Sequence, residues 1–269
     1  MKVVCIFPIT GNSTKYPEIL ECFQKIIGPQ LSILGVEQPE IKFAGTDYTY
    51  VPINSFLQGK PKGKGIIEVL KNMPTPPDFV IVCDGSGKIP FENILEIFKV
   101  LTSDSSVHCV MANRVGNKAI SDFRYVIERF EISVLCRYFK HSREVTDGQC
   151  GLWGYRHGNI QNGKDKRIKL TSEGYEIELD LLSECLEQDL AYSLVDVTLP
   201  PLPASTNFTY GDNLKKIEFF IKKYPRLEDC LISYADEFEQ STIFLTYQRQ
   251  VKEQWEQYKR DLIMQIKKK

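Results

Sequence analysis

The chain has 269 residues, 42% of them hydrophobic and 26% charged, with 34 basic and 35 acidic side chains and a net charge of −1. These proportions exclude wholesale disorder, a fibrous repeat and a broadly basic nucleic-acid binder. The eight cysteines are too sparse for a disulfide scaffold and include no CxxC pair, which fits a reducing compartment. No apolar stretch approaches the ~20 residues that a membrane helix needs. The N-terminal apolar run stops at Pro8 and Gly11, too soon for a signal-peptide core. A cytoplasmic protein is the expectation.

Val3 to Phe7 is a continuous apolar run and reads as a buried strand. Ile19, Leu20, Phe23, Ile26 and Ile27 recur at helix spacing until Gly28 and Pro29 end the pattern. Ile41 to Ala44 reads as a second strand, and residues 45–62, carrying Gly45, Pro52, Gly59 and Pro61, as a loop. Gly63-Lys64-Gly65 opens a helix through Leu70. Phe79 to Cys83 is the clearest buried strand, closed by Asp84-Gly85-Ser86-Gly87. A helix follows from Pro90, with Ile94, Leu95, Ile97, Phe98 and Leu101 as its apolar positions. Val107 to Met111 is a further strand, ending near Asn113 and Arg114, and a long helix covers 120–139. Strands alternating with helices predict an α/β fold, with a mostly parallel sheet flanked by helices on both faces. Ligands of such sheets sit at the carboxyl ends of strands, where Pro8, Asp84 and Arg114 fall.

The second half is less regular. Asp147 to Tyr155 is punctuated by glycines, Leu179 to Leu186 reads as a helix, and Leu194 to Leu199 as a strand. Pro200, Pro201 and Pro203 mark a break, and the chain turns helical after Asp212. The expected organisation is an α/β domain over 1–210 and a C-terminal helical extension over 211–269.

Three segments carry chemistry. A carboxylate at a strand end, such as Asp84, can meet a ribose hydroxyl or a divalent cation on a diphosphate, and the glycines beside it let a ligand approach the backbone. Read blandly, the same residues are a strand-to-helix turn with a local cap. Gly63-Lys64-Gly65 can hold an anion through backbone N–H groups and the Lys64 ammonium; alternatively it is a solvated basic turn, with Lys60 and Lys62 beside it. It is not a P-loop, whose spacing is missing. Asp147-Gly148-Gln149-Cys150-Gly151-Leu152-Trp153 mixes polar groups, glycines and an aromatic, as a pocket wall does, or is a tight loop with Trp153 in the core. His108, His141 and His157 have no metal-ligand spacing.

Taken together, these segments resemble family 2 glycosyltransferases, especially the dolichyl-phosphate mannose synthase-like branch. Phe79 to Pro90 resembles the stretch that ends in DADGQxP, and Gly63-Lys64-Gly65 that branch's upstream helix start. Arg114 stands where the branch has a strand-end arginine. Asp147 to Arg156 resembles its D-x-x-C-G stretch, Gly174 to Leu182 its GFxFExEL segment, and Val195 to Pro200 its strand ending in VPV. The likeness spans roughly 1–210.

The resemblance implies a GT-A fold binding a nucleotide-diphosphate sugar. It implies inverting transfer to a polyprenyl phosphate or another acceptor, lipid-linked or soluble. Asp147 and Arg114 are the catalytic candidates it carries over. Pro8, Lys64, Asp84, Gly85, Ser86, Gln149 and Trp153 are the binding candidates, and Asp84 is the metal ligand. Ser86 replaces the second aspartate of the DxD motif, and the acidic loop after the second strand is missing, with Thr46-Asp47 as its only remnant. The divalent cation, Mg²⁺ or Mn²⁺, is therefore expected to bind weakly, since a serine hydroxyl is a poor ligand for a hard cation. A non-catalytic relative that binds nucleotide or a protein partner is the alternative, and a nucleotidyltransferase is the third reading. In the tail, Val251, Trp255, Tyr258, Leu262 and Ile266 form one helix stripe, with positive charge around it. This stripe packs on the domain, packs on a second copy in a homodimer, or lies at an anionic membrane surface.

Overall fold

The computed structural model describes residues 3–8, 31–36, 62–72, 76–84, 89–115, 120–142, 145–157, 160–161, 164–165, 168–199 and 210–267. The helix expected over 19–27, the strand expected at 41–44, Thr46-Asp47, Gly85 and Ser86 lie outside the described residues.

Strands buried on both faces are apolar in consecutive positions, and runs of that kind form β1 (Val3–Pro8), β3 (Phe79–Cys83) and the first four residues of β4 (Cys109–Arg114). β2 (Leu31–Val36) pairs parallel with β1, Leu31 opposite Val3. It lies in a stretch that had no predicted element. On its other side β1 pairs parallel with β3, Val3 opposite Phe79.

The glycine-punctuated stretch becomes β5 (Leu152–Arg156), antiparallel between β3 and β4, with Trp153 opposite both Val82 and Met111. With β8 (Tyr192–Val197) the sheet order is β2-β1-β3-β5-β4-β8. Ile160–Gln161 and Lys164–Asp165, β6 and β7, form a separate antiparallel pair. The expected parallel sheet is thus interrupted near its centre by β5, which runs antiparallel to both its neighbours. β5 contains Gly154 for a packing reason. A Cβ there would stand 2.9 Å from Leu101 Cδ1 and 3.0 Å from Ile97 Cγ2. Those side chains belong to α2 (Phe91–Ser103), which packs on β3, β5 and β8 through the buried Ile94, Ile97 and Leu101. α1 (Lys62–Asn72) lies against β1.

The remaining helices are α3 (Asp122–Tyr138), α4 (Ile177–Glu187), α5 (Tyr210–Lys223), α6 (Leu227–Phe238) and α7 (Thr242–Lys267). The chain forms two compact units, Met1–Asn113 with Cys150–Val197, and Arg114–Gln149 with Thr198–Lys269. The helices after residue 210 therefore share a unit with α3.

Inside the second unit, α7 packs on α3, α5 and α6. The α7 stripe supplies the core: Val251, Trp255, Tyr258 and Leu262 are buried. Phe130 of α3 meets Trp255 edge-on at 5.1 Å between ring centroids, and Phe238 at 5.3 Å. Trp255 Nε1 donates to Glu239 Oε1 at 2.8 Å. Four of the five stripe residues are thus buried within this unit. Among the described residues no helix is long and apolar enough to cross a membrane.

Candidate functional site

In the first unit, Asp84 follows β3, and its backbone N–H donates to the Gly151 carbonyl at 2.7 Å. Gly151 lies so close that any Cβ there would collide with Asp84 Oδ2. The glycine just before β5 is therefore a seat for the strand-end carboxylate. The other oxygen, Oδ1, is 2.5 Å from Lys62 Nζ. Lys62 also donates to Glu178 Oε1 on α4, and both of those side chains are 7% exposed. Burial by itself would lower the lysine pKa. Asp84 and Glu178 more than reverse that and hold it well above the ordinary lysine range.

The start of α1 is clamped. Gly63 N–H donates to the Gly174 carbonyl at 3.2 Å and Lys64 N–H to the Glu173 carbonyl at 2.8 Å. A Cβ at Gly63 would overlap the Ser172 carbonyl oxygen. Asp180, fully buried on α4, accepts from Thr171 N at 2.6 Å and Ser172 N at 2.9 Å and so fixes that loop. The Gly-Lys-Gly turn thus uses two of its backbone donors on neighbouring carbonyls, and its glycine answers to a close backbone approach.

In the second unit, Arg114 is held by a fork: Nε to Asp147 Oδ2 at 2.5 Å, and Nη2 to Asp147 Oδ1 at 2.8 Å. Asp147 also accepts from Arg114 N at 3.1 Å and Gln149 N at 3.0 Å, and is 2% exposed. Arg114 Nη2 reaches Glu128 Oε2 at 2.6 Å, and Arg124 Nε reaches Glu128 Oε1 at 2.7 Å. Burial would raise the Glu128 pKa, but Arg124, Arg114 and Lys216 bring it down from 4.5 to about 2. Gln149 Nε2 donates to Glu131 Oε2 at 3.0 Å, and its Oε1 accepts from Lys216, which also donates to Glu131 Oε2 at 3.2 Å. Burial raises the Glu131 pKa in spite of Lys216 and Gln149.

The structure therefore brings Arg114, Asp147 and Gln149 together, and separately joins Asp84 to Lys62 and Glu178. Trp153 is 1% exposed inside the sheet, stacked on Tyr155 at 6.1 Å, and no acceptor among the described residues meets its Nε1. Pro8 ends β1 opposite Val36. Sequence reasoning passed over Lys62, Glu178, Glu128, Glu131 and Lys216. Lys62 sits in the basic turn it noted, and Glu178 in the Gly174–Leu182 stretch it quoted, but their pairing spans 116 residues.

The described residues at Asp84 do not fit a divalent cation. Its Oδ1 carries an ammonium, its Oδ2 lies against Gly151, and among the described residues no group of three His, Cys, Asp or Glu side chains is arranged to hold a metal.

No protein-family model matches the sequence, and no curated protein matches it. Solved structures do. Glucosyl-3-phosphoglycerate synthase from Mycobacterium tuberculosis, in complex with Mn²⁺ and uridine-diphosphate-glucose, is similar with a TM-score of 0.57 and 14% identity, over 82% of this chain and 78% of that one. The same enzyme with Mn²⁺, uridine-diphosphate-glucose and glycerol 3-phosphate gives 0.56 and 15%, over 82% and 79%. A mycobacterial protein gives 0.56 and 11%, over 84% and 74%. The fold is of the GT-A type. At these identities the likeness concerns the fold alone.

Proposed function

We propose that the chain is an inverting glycosyltransferase that takes its sugar from a nucleotide-diphosphate sugar. The observation that carries this reading is Asp84. It is a carboxylate fixed at the carboxyl end of β3, in a fold shared with a synthase that holds uridine-diphosphate-glucose. In this reading Asp84 meets the nucleotide and Lys64 faces the diphosphate.

Transfer is a single displacement. An acceptor oxygen bonds to the anomeric carbon while the bond to the diphosphate oxygen breaks, and the nucleoside diphosphate leaves with the electron pair. A hydroxyl acceptor would need a base for its proton. Asp147, the carboxylate singled out for that role, already accepts four hydrogen bonds and is buried. An acceptor that is already an anion needs no such base. The acceptor class that suits these residues is therefore a phosphate, on a polyprenyl chain or on a small molecule. Asp147 and Gln149 then act as positioning residues for Arg114.

The test is thermal stability with UDP, GDP, CMP and TDP sugars. One nucleotide class should raise Tm, since a ligand at a hundredfold excess over Kd adds about 2.7 kcal/mol. Asp84→Asn should abolish that shift. No shift with any nucleotide, or an undiminished shift in Asp84→Asn, overturns the reading. Ser86, in place of the second DxD aspartate, favours a second reading in which nucleotide is bound without transfer. A shift accompanied by no sugar transfer to polyprenyl phosphate, glycerol 3-phosphate or phosphoglycerate would support it.

A further inference from the structure

We propose that the Lys62 ammonium is the resident cation of the donor site, standing on Asp84 and Glu178 in place of a divalent metal, so that donor binding needs no added metal. The part concerning the donor rests on the function proposed above; the part concerning the cation does not.

Lys62 Nζ is 2.5 Å from Asp84 Oδ1 and touches Glu178 Oε1, so one ammonium bridges a carboxylate at a strand end and another on α4. Lys62 and Glu178 are 7% exposed, whereas the Asp84 side chain is 42% exposed. The cation is thus buried behind a carboxylate that solvent reaches. An ammonium has three N–H donors; two carboxylate oxygens take two, and a third can serve a phosphate oxygen.

The fold fixes the start of the helix that carries the lysine. Lys62 is the first residue of α1, and the next two backbone N–H groups are bonded to the carbonyls of Gly174 and Glu173. Gly63 packs against Ser172 with no room for a Cβ, and Asp180 holds Thr171 and Ser172 in place. Asp84 is fixed in turn by its N–H to Gly151. The backbone at both ends of the ion pair is thus held in place.

A divalent ion on Asp84 would meet a positive ammonium at contact distance. To enter, it would have to push Lys62 off both carboxylates and leave that charge buried without them. The loss of the second DxD carboxylate at Ser86 fits the same picture, because a site whose cation is covalently attached does not need a second metal ligand.

The experiment titrates Mn²⁺ into the nucleotide-free protein, reading free Mn²⁺ by its electron paramagnetic resonance signal. The wild type should bind no tighter than about millimolar, the range of weak two-carboxylate sites. Lys62→Gln, which removes the ammonium and leaves both carboxylates, should bind at least tenfold tighter. Adding Asp84→Asn to it should erase the gain. Tight Mn²⁺ binding by the wild type, or no gain in a folded Lys62→Gln protein, overturns the proposal. Lys62→Arg keeps the charge and should behave as the wild type.

A second measurement uses the wild type alone, with whichever nucleotide raises its Tm. Its Kd should agree within twofold in chelator and in Mn²⁺, and a tenfold gain on adding Mn²⁺ overturns the proposal. If no nucleotide binds in either condition, the glycosyltransferase reading fails while the Mn²⁺ titration still decides the role of Lys62.

Discussion

Replacing Glu128 by glutamine should change how the protein responds to acid. Glu128 is 2% exposed and lies between Arg114 and Arg124, with Lys216 adding to the positive field. Its carboxyl is held down from 4.5 to about 2 against the opposing effect of burial. A carboxylate whose pKa is depressed by folding contributes stability that is fully present above its unfolded pKa. That stability is lost as the pH falls through the folded one. The displacement from 4.5 to about 2 corresponds to about 3 kcal/mol at neutral pH, of which about 2 kcal/mol is gone by pH 3. Glu128→Gln removes that dependence and leaves two arginines each short of a carboxylate. At pH 7 the variant should lose about 3–5 kcal/mol, the range for breaking a buried ion pair from one side. The assay is urea unfolding at a series of pH values between 7 and 3. The wild type should lose more stability across that window than Glu128→Gln, by about 2 kcal/mol. Parallel curves for the two proteins would refute the electrostatic account of this network. Glu131 works in the opposite sense, because burial raises its pKa and ionising it opposes folding. The comparison with Glu128→Gln isolates Glu128 from that background.

Two further outcomes follow from packing. Gly63→Ala should cost about 1–3 kcal/mol or more, because its Cβ would overlap the backbone oxygen of Ser172, which the Asp180 bonds keep from moving aside; an unchanged urea midpoint would show that this loop yields. Trp255→Ala should cost about 3–5 kcal/mol and disturb the near-ultraviolet circular dichroism, since the indole is fully buried against Phe130, Phe238, Phe244 and Tyr258; a loss below about 1 kcal/mol would contradict the assigned core.

Local sequence specified those parts of the fold whose burial is written in consecutive residues. The strands at Val3, Phe79 and Cys109 are legible because each opens on a run of consecutive apolar residues, as a strand covered on both faces requires. α7 is legible because one helix face repeats on a helical period. β2 went unread because nothing local distinguishes Leu31–Val36 from other short apolar runs. β5 went unread because the glycines in and just before it look like loop punctuation, whereas they are the price of close contact, Gly154 with α2 and Gly151 with Asp84. The stripe on α7 fixed a buried face but not its occupant; α3, α5 and α6 supply it.

For the candidate site, the strand-end rule and the resemblance picked out Asp84, Arg114, Asp147 and Gln149. Only the tertiary structure decided what each one touches. Glu128 and Glu131 look like the solvated side of a helix until Arg114, Arg124, Gln149 and Lys216 converge on them. Lys62 looks like one more charge in a basic turn until Glu178, 116 residues later, meets it behind Asp84. The physical reason is one of range. Propensity, periodicity and turn chemistry act over a few residues and are written in the chain, whereas a buried charge is tolerated only where distant segments deliver its counter-charge, and that pairing exists only once the chain has folded.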